Sequence, residues 1–327
     1  MSRTDASVRV PASTSNLGGG FDCVGMAVDR WLSATVRIDP SSRDVTMIRR
    51  GSLTSLHCAP TDDLLYEGFV AACRSREVPV PAGLAFDVTS DIPVARGLGS
   101  SAAALVAGAA LADAALALQL DADGVATLVS QIEGHPDNAA PAVFGGAMLG
   151  VARDDATPKD PCTYAFSSLP VHPWLSFIFA VPSLEVTTAS ARAVLPDRVS
   201  FRDAVNAVQR SAALVHGLST GDADLLSRAL DDVLHVPYRQ GLVPGYAAVV
   251  TAARAAGAFG GTLSGSGSAM VAIGRPADAS AIAAAMQAAF AAHRLDAVTI
   301  ITAGTVAGLQ HQRSPRPPGE TSVPVSP

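Results

Sequence analysis

Two closely spaced glycines and two serines stand directly before a long alanine-rich run in Pro93-Val94-Ala95-Arg96-Gly97-Leu98-Gly99-Ser100-Ser101-Ala102-Ala103-Ala104. Leu84–Thr89 reads as a strand, Ser90-Asp91-Ile92-Pro93 as a turn, and Ser101–Leu120 as a buried Ala/Leu helix. Glycine permits positive φ and close approach of another group to the backbone. The first N–H groups of a helix have no intrahelical acceptor, and the dipole adds roughly half a positive charge there. Hydroxyls at Ser100 and Ser101 stand where a phosphate oxygen or Mg²⁺ can use them, and Arg96 can add charge. Such a string is an anion cradle. A Gly-x-Gly alone reads more readily as an ordinary capped helix start.

Composition narrows the chemistry. Of 23 basic residues only Lys159 is a lysine, and it lies in the polar stretch 153–160, which reads as a loop. A P-loop and a protein-kinase fold each need a lysine against the phosphates, so both are excluded, and a buried Schiff-base lysine is disfavoured. The formal net charge of −6 and the lack of any basic cluster argue against nucleic acid as a partner. Cys23, Cys58, Cys73 and Cys162 show neither disulfide nor metal spacing, which suits a reducing compartment. The N-terminus shows no signal-like apolar run. Ser101–Leu120 carries Asp113 mid-span, so no membrane segment and a cytoplasmic protein are expected.

Strands are expected at Ser7–Pro11 and Leu32–Asp39, flanking a glycine-rich loop from Ala12 to Asp22. Helices are expected at Leu64–Arg76 and from an Asp121 cap to about Glu133, and a buried strand at Val143–Val151. The polar interval Ala152–Pro161 reads as a junction between two lobes, 1–155 and 156–311, with a disordered tail at 312–327. In the second lobe Leu175–Val181, Ala269–Ile273 and Ala297–Thr302 read as strands. Thr188–Leu195, Phe201–Leu218, Asp222–Val233, Val243–Ala256 and Ala279–His293 read as helices. Strands and helices without regular alternation indicate an α+β, two-lobed fold.

Taken whole, the 93–104 string resembles the phosphate loop of the GHMP kinases. Two further segments support the resemblance. Val10-Pro11-Ala12-Ser13-Thr14-Ser15-Asn16-Leu17-Gly18-Gly19-Gly20-Phe21-Asp22 is similar to the family's first motif, with Gly19 where proline is usual. Gly260-Gly261-Thr262-Leu263-Ser264-Gly265-Ser266-Gly267-Ser268-Ala269 is similar to its third, with Ser268-Ala269 replacing the usual Pro-Thr or Pro-Ser. Residues 133–146, 187–196 and 236–245 resemble the homoserine kinase branch, with Val236 in place of an acid.

The resemblance covers about Val8 to Thr302. It implies ATP as phosphoryl donor, Mg²⁺ as cofactor and L-homoserine as acceptor, in threonine biosynthesis. It implies nucleotide contacts along Pro93, Arg96, Gly97, Leu98, Gly99, Ser100, Ser101, Ala102 and Ala103. Ser101 and Glu133 would hold the metal, with Ser100 as the alternative. A zwitterionic acceptor needs arginines for its carboxylate and an acid for its ammonium. Arg192 and Arg239 fall in matched segments and suit the first; Asp22, backed by Asn16, suits the second. His135, Asn138, Gly265 and Gly267 complete the expected substrate site, and Asp137, Asn138 and Thr188 the catalytic set. Whether Asp137 or the γ-phosphate takes the proton stays open. Each arginine alone would read as a solvated surface residue, and His135 alone equally as a helix-end cap or a substrate contact. A different hydroxyl acceptor or a non-catalytic ligand sensor also remains compatible, although the retained Ser100, Ser101 and Glu133 weigh against the sensor. The sequence does not fix the oligomeric state; a homodimer is compatible with it.

Overall fold

The computed structural model describes residues 4–153 and 162–312. Its strands are β1 (Thr4–Asn16), β2 (Gly20–Ile38), β3 (Val45–Gly51), β4 (Leu84–Ser90), β5 (Ala147–Ala152), β6 (Tyr164–Leu169), β7 (Ser176–Pro182), β8 (Gly260–Leu263), β9 (Met270–Gly274), β10 (Ala297–Thr302) and β11 (Gln310–Gln312). Its helices are α1 (Leu64–Ser75), α2 (Ser100–Leu116), α3 (Ala122–Glu133), α4 (Ala139–Phe144), α5 (Thr188–Ala193), α6 (Phe201–Thr220), α7 (Ala223–Ala229), α8 (Val236–Arg239), α9 (Tyr246–Ala255) and α10 (Ala279–Ala292). The fold is α+β with two sheets, as expected.

The first sheet is organised by β2. It pairs with β1 along most of its length, with β5 through Val24–Met26 and with β4 through Leu32–Ile38. β3 adds parallel to β4, β6 pairs with β5, and β11 closes the β1 edge. Two strands of this sheet, β6 and β11, therefore come from beyond residue 156. The expected lobe boundary at 155/156 and residues 313–327 of the expected tail lie outside the described residues, while Gln312, expected to begin that tail, is paired with Ser7 in β11. The second sheet runs β10-β7-β9-β8, antiparallel throughout. β7 is buried on both faces. Phe177 and Phe179 join the core shared with Leu214, Leu218 and Leu226, while Ile178 and Ala180 pack with Ile282, Met286 and Phe290 of α10.

Several expectations are corrected. Ala12–Asp22 is not a loop: β1 and β2 extend through it, leaving only a turn at 17–19. Its small polar residues Ser13, Thr14 and Ser15 are buried, so polarity there marks packed hydroxyls and not solvent. The Ala/Leu helix stops at Leu116, where Ala117 turns left-handed (φ 52°) and Asp113 accepts the N–H of Leu120 at 2.9 Å. Val143–Val151 divides into α4 and β5 because Gly145 and Gly146 both take positive φ. The α9 region starts at Tyr246, after a left-handed Gly245, and the Asp222-capped helix ends at Ala229. β3, β6 and β11 escaped notice because they bury little: β3 and β11 have no fully buried position and β6 has one, so no apolar face stands out in their sequences.

The pairing of α1 with α2 fixes the helix that carries the Gly-Ser-Ser loop. The two cross at glycines: a Cβ at Gly108 would lie 1.9 Å from the carbonyl oxygen of Leu65, and one at Gly68 2.2 Å from that of Leu105. In an open helix, Gly→Ala stabilises by about 1 kcal/mol. Here the backbone clash decides the sign, and overpacking costs about 1–3 kcal/mol. Gly108→Ala is therefore expected to lower the thermal midpoint of the protein; an unchanged or raised midpoint would refute this packing.

Candidate active site

The three glycine-rich segments, far apart in sequence, are joined backbone to backbone. The Ser13 N–H donates to Leu98 O (3.1 Å), the Gly265 N–H to Ser15 O (3.1 Å), and the Ala269 N–H to Arg96 O (3.1 Å). The Ser264 hydroxyl, fully buried, sits 2.6 Å from Gly97 O and 2.8 Å from the Thr14 hydroxyl. Glycine is required where the loops meet. A Cβ at Gly97 would lie 2.1 Å from Ser264 O, one at Gly99 2.1 Å from the Ser13 hydroxyl, and both residues have positive φ.

This arrangement sets the N-terminus of α2 at the mouth of a cleft. Its N-cap is Gly99, in the left-handed conformation, and no side chain caps it. The first-turn amides are left for a ligand, and a 17-residue helix directs its positive end at them. Beside them the Ser101 hydroxyl donates to Glu133 Oε1 at 2.6 Å. Burial pushes the Glu133 carboxyl above the usual carboxylate range, against the opposing Ser101 hydrogen bond. Glu133 Oε2 is shut off from solvent and has no hydrogen-bond partner among the described residues. An orphaned carboxylate oxygen next to a hydroxyl is an all-oxygen donor set, and it fits a hard cation such as Mg²⁺.

The other end of the cleft is dense with charge. Arg192, on α5, donates through Nη1 and Nη2 to both oxygens of Asp22 at 2.8 and 2.7 Å. Asp22 is itself held in a left-handed turn (φ 57°) by Asn16, whose Oδ1 accepts its N–H at 3.0 Å while Nδ2 donates to Gly265 O. His135 Nδ1 lies 2.5 Å from Asp137 Oδ1. Burial opposes charge on His135, but the Asp137 hydrogen bond and the charges of Asp137, Glu133 and Asp22 outweigh it and raise it to about 9. The ring is cationic at neutral pH. Asn138 is fixed at both ends of its amide, accepting from the Ser13 hydroxyl (2.9 Å) and donating to Ser15 Oγ (3.1 Å). Asp137 comes close to β2 because position 25 is glycine; a Cβ there would lie 1.6 Å from Asp137 O.

Arg239, on α8, is buried. Its Nε donates to Ala191 O (3.0 Å) and its Nη1 to His235 Nδ1 (3.4 Å). That leaves the proton of the His235 ring on Nε2, which donates to Gly18 O at 3.3 Å. Burial, reinforced by the Arg239 charge and opposed by Asp232, lowers His235 to about 4 and keeps it neutral.

The cleft encloses about 390 Å³ and is lined by Asn16, Asp22, Arg96, Gly97, Gly99, Ser100, Ser101, His135, Asp137, Asn138, Thr188, Arg192, Arg239 and Gly265. Six expected residues do not line it. Leu98, Ala102 and Ala103 are buried in the core, leaving only their backbone to serve a ligand. Pro93 and Gly267 lie in the loops without lining the cleft, and Glu133 is joined to it only through its hydrogen bond with the lining Ser101. Arg96 lines the cleft but directs Nη1 to Pro182 O at 2.6 Å and Nη2 toward Glu185 at 3.6 Å. Sequence reasoning missed the clamping hydroxyls of Ser13 and Ser15. It left open the apolar end, where Met47, Leu53, Leu56 and Leu64 form a wall with Cys58 and Asp62. That wall hangs on β3, the strand that the sequence pattern did not reveal.

Models of the GHMP kinases N terminal domain and the GHMP kinases C terminal domain match residues 64–146 and 212–292. A homoserine kinase of Synechococcus sp. is 39% identical over 91% of this chain and 96% of its own length. The chain belongs to the GHMP kinase family. A homoserine kinase of Moorella thermoacetica is likewise 39% identical, over 87% of this chain and 92% of its own. The crystal structure of homoserine kinase from Cytophaga hutchinsonii superimposes with a TM-score of 0.81 at 26% identity, covering 94% of this chain and 98% of that one. Within this GHMP kinase no helix of the described residues is long and apolar enough to cross a membrane.

The neutral, buried His235 gives the kinase a pH signature. Its pKa is near 4 folded and about 6.5 unfolded. Between those values the unfolded chain binds the extra proton, so this contribution to stability is complete above about pH 6.5 and fades as pH falls toward 4. His235→Gln is expected to show a shallower fall in melting temperature from pH 6.5 to 5 than the wild type. Parallel curves would contradict the assignment.

Proposed function

We propose that this chain transfers the γ-phosphoryl group of ATP to the side-chain hydroxyl of L-homoserine, giving O-phospho-L-homoserine and ADP. One observation carries the reading. A single cleft has uncapped helix amides at its middle, and at one end two arginines stand beside an aspartate, as a small zwitterion requires. The homoserine kinases among its relatives support the same acceptor.

In this reading the triphosphate lies along the amides of 97–102, with the Ser100 hydroxyl beside it and the base toward Met47, Leu53 and Leu56. Mg²⁺ would be held by Glu133, with Ser101 adjacent, and when bound it neutralises charge on the phosphate oxygens. The acceptor exchanges partners with the Asp22–Arg192 pair: its ammonium takes the Asp22 carboxylate, and its carboxylate takes Arg192 together with Arg239. Both new contacts are charge-assisted, so the exchange conserves ion pairing and does not strand a charge. Asn138 and Thr188 flank the hydroxyl. Asp137 is committed to the His135 cation, which supports a positioning role for it and the γ-phosphate as the destination of the hydroxyl proton. Phosphoryl transfer depends mainly on positioning and charge neutralisation, so a site without lysine suffices. The small soluble substrates support a cytoplasmic location.

A coupled ADP-release assay tests the acceptor: turnover is expected with L-homoserine, and turnover with mevalonate or galactose but not homoserine would overturn the reading. Arg239→Ala removes one partner of a buried charge network, a change worth about 2–5 kcal/mol. It is expected to lower kcat/KM for L-homoserine at least about thirtyfold. Glu133→Gln should raise the Mg²⁺ concentration giving half-maximal rate by about tenfold; an unchanged Mg²⁺ response would remove Glu133 from the metal site.

A further inference from the structure

Two guanidinium groups that share one small ligand repel each other, so something must hold them together before that ligand arrives. In this chain Arg192 and Arg239 both lie over one face-bearing ring. The Arg192 guanidinium carbon is 5.5 Å and that of Arg239 5.2 Å from the centroid of Phe21. Both distances fall within the range at which the ring quadrupole attracts a cation. Phe21 is in turn stacked on the His235 ring, with centroids 4.8 Å apart and planes 16° from parallel. His235 cannot rotate, because it accepts from Arg239 on Nδ1 and donates to Gly18 O through Nε2. Gly18 lies in the β1–β2 turn, and Phe21 stands at the start of β2 directly before Asp22. Burial holds His235 neutral, so the layer beneath Phe21 adds no third cation to the cluster.

We propose that Phe21 is a positioning residue for the acceptor's carboxylate: its ring is a common platform for Arg192 and Arg239, braced from beneath by His235, and it thereby sets the preference for acceptors that carry a carboxylate. The inference rests on the amino-acid-acceptor reading above. Phe21 touches neither the phosphates nor the metal site in that reading. It acts through the arginines, so its removal should weaken acceptor binding without slowing the chemical step.

The experiment compares wild type, Phe21→Leu and Phe21→Tyr with L-homoserine and with 3-amino-1-propanol, the same acceptor without its carboxylate. Phe21→Leu is expected to raise KM for L-homoserine about tenfold. Its kcat and its KM for ATP should stay within about twofold. Its kcat/KM for 3-amino-1-propanol should also change less than about twofold, so selectivity between the acceptors collapses about tenfold. Phe21→Tyr, which keeps the ring, should restore KM to within about threefold of wild type. Where Phe21→Leu does not fold, Phe21→Met takes its place with the same expected outcome. Equal losses on both acceptors, an unchanged KM for L-homoserine, or failure of tyrosine to restore it would overturn the platform. Wild-type protein that does not turn over L-homoserine would overturn the acceptor reading and this inference with it.

Discussion

Everything in this site depends on three loops being sewn together through main-chain hydrogen bonds around the free end of one helix. Ser13 to Leu98, Gly265 to Ser15 and Ala269 to Arg96 draw segments from three parts of the chain to one place. None of these contacts can form across side chains, which is why Gly97 and Gly99 are glycine. The outcome is an α2 N-terminus that is rigid, uncapped and open to a cleft. A chain whose lone lysine lies at residue 159 can still bind a polyanion in this way, because the positive charge comes from oriented amides.

The same stitching divides the cleft into zones of different chemistry. The apolar wall from Met47 to Leu64 belongs to β3, the start of α1 and the connection between them, the amides to α2, and the ionic cluster to the start of β2, the α3–α4 connection, α5 and α8. At the ionic end, opposite charges satisfy each other in the absence of a ligand: Asp22 holds Arg192, and Asp137 holds His135. Such pairing leaves none of these four charges stranded. Glu133 Oε2 is the exception. It is buried and unmatched among the described residues, and an oxygen so placed suits a hard cation.

How much could be read from sequence varied with the kind of physical signal. The uncapped loop before α2, the Asp121 cap of α3 and the strongly apolar β7 were legible because each rests on local chemistry. Most expected site residues do meet in one cleft, since the motifs carrying them are tied together by the loops. What the sequence concealed was long-range. Ser13, Thr14 and Ser15 looked like a solvent loop, yet they are strand residues whose hydroxyls clamp Asn138 and Ser264. β3 is a half-exposed edge strand whose pairing partner lies across a helix, so its pattern carried little information. Arg96 looked like a phosphate ligand, but its guanidinium is turned to Pro182 and Glu185, long-range contacts that the local sequence does not reveal.

On this account a nucleotide's phosphates are gripped by main-chain amides at the start of α2. A crystal structure with Mg²⁺ and a non-hydrolysable ATP analogue tests it most directly. The β- and γ-phosphate oxygens should lie within about 3.2 Å of backbone nitrogens between Gly97 and Ala102. Density for the triphosphate elsewhere, with those nitrogens facing only water, would contradict the account.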